Sequence, residues 1–328
     1  MYFKKLFHPE YYQGAKKTDR HFEGWYYKLV SKDGSLSLAL IPGVAINKKD
    51  PHAFIQVFSS RGDPGGENGE LEAHYRRFPL DAFKYRHDVF EASIGKNRFT
   101  ANSVDLAIEE EGFSLSGHIE LGPLTPIKKS LWAPNIMGPF AYLSFMECYH
   151  GVISMDHGLD GRVALQGEVL DFSGGSGYIE KDWGVSFPVT YVWIQSNHFT
   201  TGPAAFMFSA ALIPLGALRF KGLICNLIVN GKEYRFATWN GSRILLEEWG
   251  DDFARYRIAR GKLLLDIEAR STSHIALASP REGEMKEHIK EGLSGTVTLR
   301  LFKEGLCLWE GTGSNAGIEI MMGPKTQG

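Results

Sequence analysis

Apolar and polar residues alternate with a period of two along most of the chain. Leu36, Leu38 and Leu40 fall on one face of a predicted strand, with Ser35, Ser37 and Ala39 on the other. Val104, Leu106 and Ile108 repeat the pattern, as do Phe113, Leu115, Ile119 and Leu121, then Leu263, Leu265 and Ile267, then Val297, Leu299 and Leu301. "KDG", "NG", "DG" and "GG" breaks between such runs are hairpin signals, so the chain reads as antiparallel strands joined by tight turns. Helical periodicity is scarce: the N-terminal "YFKKLF" and a piece at Met285–Ile289 are the best short candidates, and neither sustains three turns. The pattern predicts an all-β protein of about twenty strands, too many for one small barrel. The expectation is two antiparallel β-barrels or strongly curved sheets packed together, over residues 1–165 and 166–328.

Two segments interrupt the alternation. Gly122 to Phe140 carries Pro123, Pro126, Pro134 and Pro139, so it reads as a long loop covering a barrel mouth. "SSRGDPGGENGE" at 59–70 reads as an exposed hairpin insertion. "EGW" at 23–25 and "DWG" at 182–184 hint at a duplicated module.

Composition narrows the function classes. The 328 residues are 43% hydrophobic, with a net charge of −2; without a basic field, nucleic acid is a poor partner. Aromatics at 12% and 37 glycines agree with turn-rich β structure around an aromatic interior. Cys148, Cys225 and Cys307 are odd in number and widely spaced, which indicates neither a disulfide framework nor a zinc site and predicts a cytoplasmic protein. The N-terminus lacks a continuous apolar signal core, and no later run reaches the length of a spanning helix, so no integral membrane segment is expected; peripheral membrane contact stays open. Histidines are scattered without H-E-x-x-H, predicting no metal. "GTGSNA" at 311–316 leaves no room for a βαβ unit and predicts no nucleotide cofactor.

Three stretches carry candidate chemistry. In "HFEGWYYKLV" alternation puts His21, Glu23, Trp25 and Tyr27 on one face and Phe22, Gly24, Tyr26 and Lys28 on the other. Glu23 on an aromatic face is either a carboxylic acid kept neutral by burial, able to donate a proton, or half of a structural pair with an Arg or Lys. In "GGSGYIEKDWGVSFP" Tyr178, Glu180 and Asp182 share a face opposite Ile179, Lys181 and Trp183; two close carboxylates compete, and one can hold a proton. In "TYVWIQSNHF" Tyr191, Trp193, Gln195 and Asn197 share a face, rings followed by amides, suited to an apolar ligand with a polar head or to plain core. At least one of Glu23, Glu180 and Asp182 is expected to have a raised pKa, and one pocket is expected to join Trp25 or Tyr27 to Trp193.

"HFEGWYYKLV", "YIEKDWGVSFPVTYVWIQSNHF" and "AGIEIMMG", in that order across nearly the whole chain, resemble the tocopherol cyclase-like proteins, with a more distant likeness to carotenoid hydratases and fungal Diels–Alder cyclases. The resemblance implies two lipocalin-like β-domains and a pocket for a prenylated or other hydrophobic small molecule. It also implies an isomerase-type ring closure by alkene protonation, without metal or redox cofactor. Carried onto this chain, it makes Glu23 or Asp182 the proton donor, with Glu180 the neighbouring acid. Trp25, Tyr27 and Trp193 become a cation-stabilising wall, Gln195 and Asn197 hold a head-group oxygen, and His21, Tyr178 and Tyr191 complete the lining. A non-enzymatic carrier or sensor of a hydrophobic ligand is the alternative.

Overall fold

The computed structural model describes residues 2–62, 70–215, 218–271 and 273–323. Among the described residues, twenty-three strands form two antiparallel sheets of 12 and 11 strands. The first sheet runs in spatial order from Glu70–Pro79 through His52–Arg61, Leu36–Ile46 and His21–Val30 to Ser176–Gly184, then Cys148–Leu165 and the hairpins back to Phe83–Tyr85. Its two edges are consecutive in the chain, joined by the single turn Leu80–Ala82. The sheet must therefore curl until its edges meet, although they do not close into a barrel. The second sheet repeats the plan: its first strand, Tyr191–Ser196, pairs with its last, Leu306–Met321, and its edges Lys232–Ala237 and Arg243–Trp249 are joined through Thr238–Asn240.

These are strongly curved sheets, as the alternation predicts. Each encloses an apolar core, one built on Trp25, Tyr27, Leu38, Phe99 and Ile179, the other on Ile194, Phe206, Phe208, Tyr256 and Leu299. A third cluster, with Tyr26, Phe58, Tyr178, Tyr191, Trp193 and Met207, lies between the sheets. The Met285–Ile289 helix expectation is corrected: these residues belong to the 20-residue strand Glu284–Lys303, whose pairing with Ile275–Arg281 overrides weak local helix propensity. "YFKKLF" does supply a short helix, Tyr2–Leu6. The "EGW" and "DWG" clusters are not copies of a module; they sit on adjacent strands, with Glu23 opposite Trp183. The duplication lies in topology instead.

The chain leaves the first sheet after Gly184 and enters the second at Tyr191. The expected boundary at 165/166 falls in the turn between two paired strands of the first sheet, Cys148–Leu165 and Glu168–Asp171. Most of the 59–70 insertion lies outside the described residues. Among the described residues, no helix is long and apolar enough to cross a membrane.

The inner face of the His21–Val30 strand contains a fully buried ion pair, Glu23 with Lys181. Glu23 also accepts backbone N–H bonds from Gln13 (2.7 Å) and Gly14 (2.8 Å) and lies 3.2 Å from His21 Nε2. Lys181 donates to the carbonyls of Pro9 (2.9 Å) and Tyr11 (2.6 Å) and sits over the Trp25 ring. Burial alone would raise the Glu23 pKa; Lys181 and His21 outweigh it and hold the carboxyl below its usual range. Removing one partner strands the other charge in the core, a loss of roughly 3–5 kcal/mol, whereas removing both relieves part of it. Lys181→Met is expected to be destabilised by about that amount in urea unfolding, with Glu23→Gln, Lys181→Met losing less than the sum of the single variants. A Lys181→Met protein as stable as the parent contradicts this account.

Candidate active site between the sheets

The outer faces of the central strands point at the second sheet. Alternation that turns Glu23, Trp25 and Tyr27 into the first core turns Phe22, Tyr26 and Lys28 the other way. The same rule on Ser176–Gly184 sends Lys181 inward and Tyr178, Glu180 and Asp182 outward, where Tyr26 is paired across from Glu180 and His150 across from Asp182. From the second sheet, Tyr191 and Trp193 face back across the gap, while Val192 and Ile194 enter that sheet's own core.

A cleft of about 870 Å³, counting its open mouth, lies in this junction. Its acidic wall holds Glu180, Asp182, His150 and Glu319, and its apolar wall includes Phe187, Tyr191, Trp193, Ile213 and Phe220. Met137 and Phe140 of the proline-rich loop, with Met146 from the segment that follows it, roof the cleft. That loop is anchored on the second sheet by Trp239, whose indole donates to the Ile136 carbonyl at 3.0 Å. Gly138 makes the contact feasible: its φ is +58°, and a Cβ there would lie 2.4 Å from the Trp239 ring. A second, narrower recess of about 530 Å³ shares Glu180, Asp182, Phe187 and Glu319 and is bounded by Tyr26, Phe54 and Glu291.

Two polar clusters line the junction. In the first, Glu180 accepts from the Tyr178 hydroxyl (2.5 Å) and the Trp193 indole (3.2 Å). His150 lies between the acids, its Nδ1 2.9 Å from Asp182 and its Nε2 3.3 Å from Glu180. Burial disfavours a charged His150, but Asp182 and Glu180 outweigh it and raise its pKa well above the ordinary value. His150, Glu180 and Asp182 bring ligand-type atoms within 4.8 Å of one another and are the residues that could hold a metal ion. An imidazolium has no lone pair to offer, so the electrostatics favour an ion-paired triad over a ligand set.

In the second cluster, Glu291 and Glu319 stand opposite each other on adjacent strands. The Tyr26 hydroxyl donates to Glu291 at 2.6 Å and the Tyr191 hydroxyl to Glu319 at 2.7 Å. Burial raises both carboxyl pKa values, that of Glu291 to about 7 and that of Glu319 well above its ordinary value. The two are hydrogen-bonded to each other, and Glu291 also raises Glu319 by like-charge repulsion. Two carboxyls in contact in an apolar junction hold a proton as a pair.

The sequence expectations divide along the alternation. Glu180, Asp182, Tyr178, Tyr191 and Trp193 meet at the junction. His21, Glu23, Trp25 and Tyr27 do not: they occupy the opposite face of their strand, so the expected wall joining Trp25 or Tyr27 to Trp193 is corrected. Trp25 donates to the Glu10 carbonyl (2.9 Å) and Tyr27 to the Thr100 carbonyl (3.2 Å), both inside the first core. Gln195 accepts from buried Lys28 at 2.8 Å, and Asn197 donates to Asp156 at 2.9 Å; neither lines the cleft. Glu23 takes the structural of its two readings, since its pKa is lowered. The raised carboxyls at the junction are Glu291 and Glu319, which alternation did not single out; Asp156, also raised by burial, does not line the cleft. Glu319 had a signal, an acid between Ile318 and Ile320, while Glu291 sits in a charged run, "MKEHIKEG", that reads as solvated.

Comparisons with known proteins place this geometry. A family model described as tocopherol cyclase-like matches residues 130–322, and the chain belongs to that family. It is 27% identical over 197 residues to the chloroplastic tocopherol cyclase of Zea mays; the match covers 55% of this chain and 40% of the relative, so it spans about two fifths of that protein's length. Among solved structures, CghA superposes with a TM-score of 0.60 at 11% identity, covering 92% of this chain and 88% of the other. Kievitone hydratase from Nectria haematococca superposes with a TM-score of 0.55 at 9% identity, covering 91% and 88%. These two likenesses are likenesses of fold.

A carboxyl whose folded pKa lies above its unfolded value contributes stability that is complete below the unfolded pKa and lost as pH rises through the folded one. For Glu291 that window runs from 4.5 to about 7. Between pH 5 and pH 8 the native protein should therefore lose on the order of 2–3 kcal/mol relative to Glu291→Gln, read as the difference between urea midpoints at each pH. A constant difference across that range contradicts a shared proton.

Proposed function

We propose that the protein binds a prenylated or similarly apolar small molecule in the cleft between its sheets and protonates an alkene of that molecule, closing a ring or adding water. The observation that carries this reading is the facing carboxyl pair Glu291 and Glu319, with Glu319 on the wall of an aromatic-lined cleft where burial raises its pKa. The carboxylic O–H of Glu319 transfers its proton to the less substituted alkene carbon, and the more substituted carbon becomes cationic. Like-charge repulsion from Glu291 favours the transfer, and the Tyr191 hydroxyl, which donates to Glu319 at 2.7 Å, stabilises the carboxylate left behind. Trp193 and Tyr191 offer ring faces to the cation, and Asp182 and Glu180 supply negative charge across the cleft. A hydroxyl of the same molecule, or a water, adds to the cation; its proton returns to Glu319, so no electron donor or acceptor is consumed.

This reading moves the acid from Glu23 or Asp182 to Glu319 and keeps Asp182 and Glu180 as the electrostatic wall. Family membership supports it through the chemistry named for the maize relative. The ligand comes first: native mass spectrometry of freshly purified protein, followed by extraction, identifies the bound lipid class. With an alkene-bearing substrate such as a prenylated quinol, Glu319→Gln is expected to lose about 10²–10⁴-fold in turnover while ligand affinity changes little. Wild-type turnover should fall as pH rises and the shared proton is lost. An active Glu319→Gln protein removes the proposed acid. Tight binding by the wild type without turnover of any alkene-bearing ligand would identify a carrier.

A further inference from the structure

The proline-rich loop that roofs the cleft has an outer side the proposed chemistry does not use. Five of the twelve strongly exposed large apolar side chains among the described residues are Phe3, Leu131, Trp132, Tyr142 and Phe145. Leu131 is 82% exposed, Trp132 69% and Phe145 64%. Hydrogen bonds tie together the segments that carry them. The Tyr142 hydroxyl donates to the Leu131 carbonyl, and the N-terminal segment is tied alongside by Asn135 on Leu6 O (3.1 Å) and Lys129 on Phe7 O (2.6 Å). Exposed tryptophan and leucine at neighbouring positions have no role in a fold whose three apolar clusters lie elsewhere.

Cationic side chains flank the patch. Lys128 and Lys129 precede Leu131, and both are exposed. A groove of about 1820 Å³, counting its open side, runs beside Phe145 and is lined by Lys5, Lys16, Lys17 and Arg20 against one acid, Glu147. Met146 borders both this groove and the cleft between the sheets. The outer surface of the loop is thus apolar and aromatic with a basic margin, and its inner surface is the ceiling of the cleft.

We propose that this face docks on an anionic lipid bilayer, with Leu131, Trp132 and Phe145 entering the interface and the lysines meeting lipid head groups. Aromatic side chains favour the boundary between hydrocarbon and water, and a polybasic margin adds attraction to acidic lipids. A second copy of the chain fits less well, because a self-complementary contact would set lysine-rich margins against each other. The inference rests on the cleft taking an apolar molecule: docking here lets such a molecule pass from the bilayer beneath the roof without crossing water.

Vesicle flotation tests it. The intact protein is mixed with vesicles of phosphatidylcholine alone or of phosphatidylcholine with phosphatidylglycerol. Wild type should float with the mixed vesicles and be released by high salt, and brominated acyl chains should quench a tryptophan signal that is lost in Trp132→Phe. Leu131→Ser, Trp132→Ser, Phe145→Ser together should cut partitioning ten-fold or more. Lys16→Ala, Lys17→Ala should cut it on the order of ten-fold through charge alone. Failure to float, equal binding to neutral vesicles, or undiminished flotation of the triple variant overturns the proposal. So does concentration-dependent self-association that the triple variant abolishes. Glu319→Gln should float like wild type, so loss of vesicle binding and loss of turnover report on separate claims.

Discussion

Both faces of the two central strands of the first sheet are largely buried, and most polar side chains on them must therefore find a partner within the protein. A buried polar group without one costs roughly 1–3 kcal/mol, and an unpaired charge more. On the inner face, Glu23 and Lys181 meet this demand with each other and with the backbone of residues 9–14, closing one end of the first core with the N-terminal segment. On the outer face, Tyr26, Lys28 and Glu180 are satisfied by Glu291, Gln195 and Trp193, all from the second sheet. The two sheets are thus held in register by hydrogen bonds as well as by the apolar cluster around Tyr26 and Trp193.

The faces differ in how completely they are neutralised, and chemistry follows from the difference. Glu23 receives donors on both oxygens and faces a lysine, so its charge is spent on holding the fold. Across the strand, Glu180, Asp182, Glu291 and Glu319 share one imidazolium and the more distant Lys28. Acids in excess of cations in an apolar junction retain a proton, and burial with like-charge contact places it on the pair Glu291 and Glu319. Burial pushes the phenols of Tyr26, Tyr178 and Tyr191 up, leaving them neutral donors that fix the carboxyls without discharging them. The unpaired buried Nε2 of Gln195 marks the same boundary as a place where full satisfaction was not reached.

Much of this was legible in the sequence. Period-two alternation assigned the face of every residue in "HFEGWYYKLV", "YIEKDWG" and "TYVWIQSN", and the structure places Tyr178, Glu180, Asp182, Tyr191 and Trp193 together accordingly. It could not say which face of the first strand looks at the second sheet. An aromatic face with one acid, around Glu23, looks like a pocket until its cation is found, and Lys181 lies 158 positions away by simple subtraction of residue numbers. Glu291 was illegible for the opposite reason: burial comes to it from Tyr26 and Glu319, both far along the chain, while its neighbours "KEHIKE" are those of an exposed strand.

The position of the cleft follows from topology. In each sheet the first and last strands pair near the middle, and the edges meet around the far side. Chain continuity therefore requires the exit from the first sheet and the entry to the second to lie at their central strands, joined by residues 185–190, where Phe187 and Pro188 line the cleft. Central strands are the ones whose outer faces need covering, so docking the sheets through them buries the most polar backbone and apolar surface at once. Any acid placed on those outer faces is brought against its counterpart from the other sheet. The shared proton of Glu291 and Glu319 is then a consequence of where two curled sheets can join.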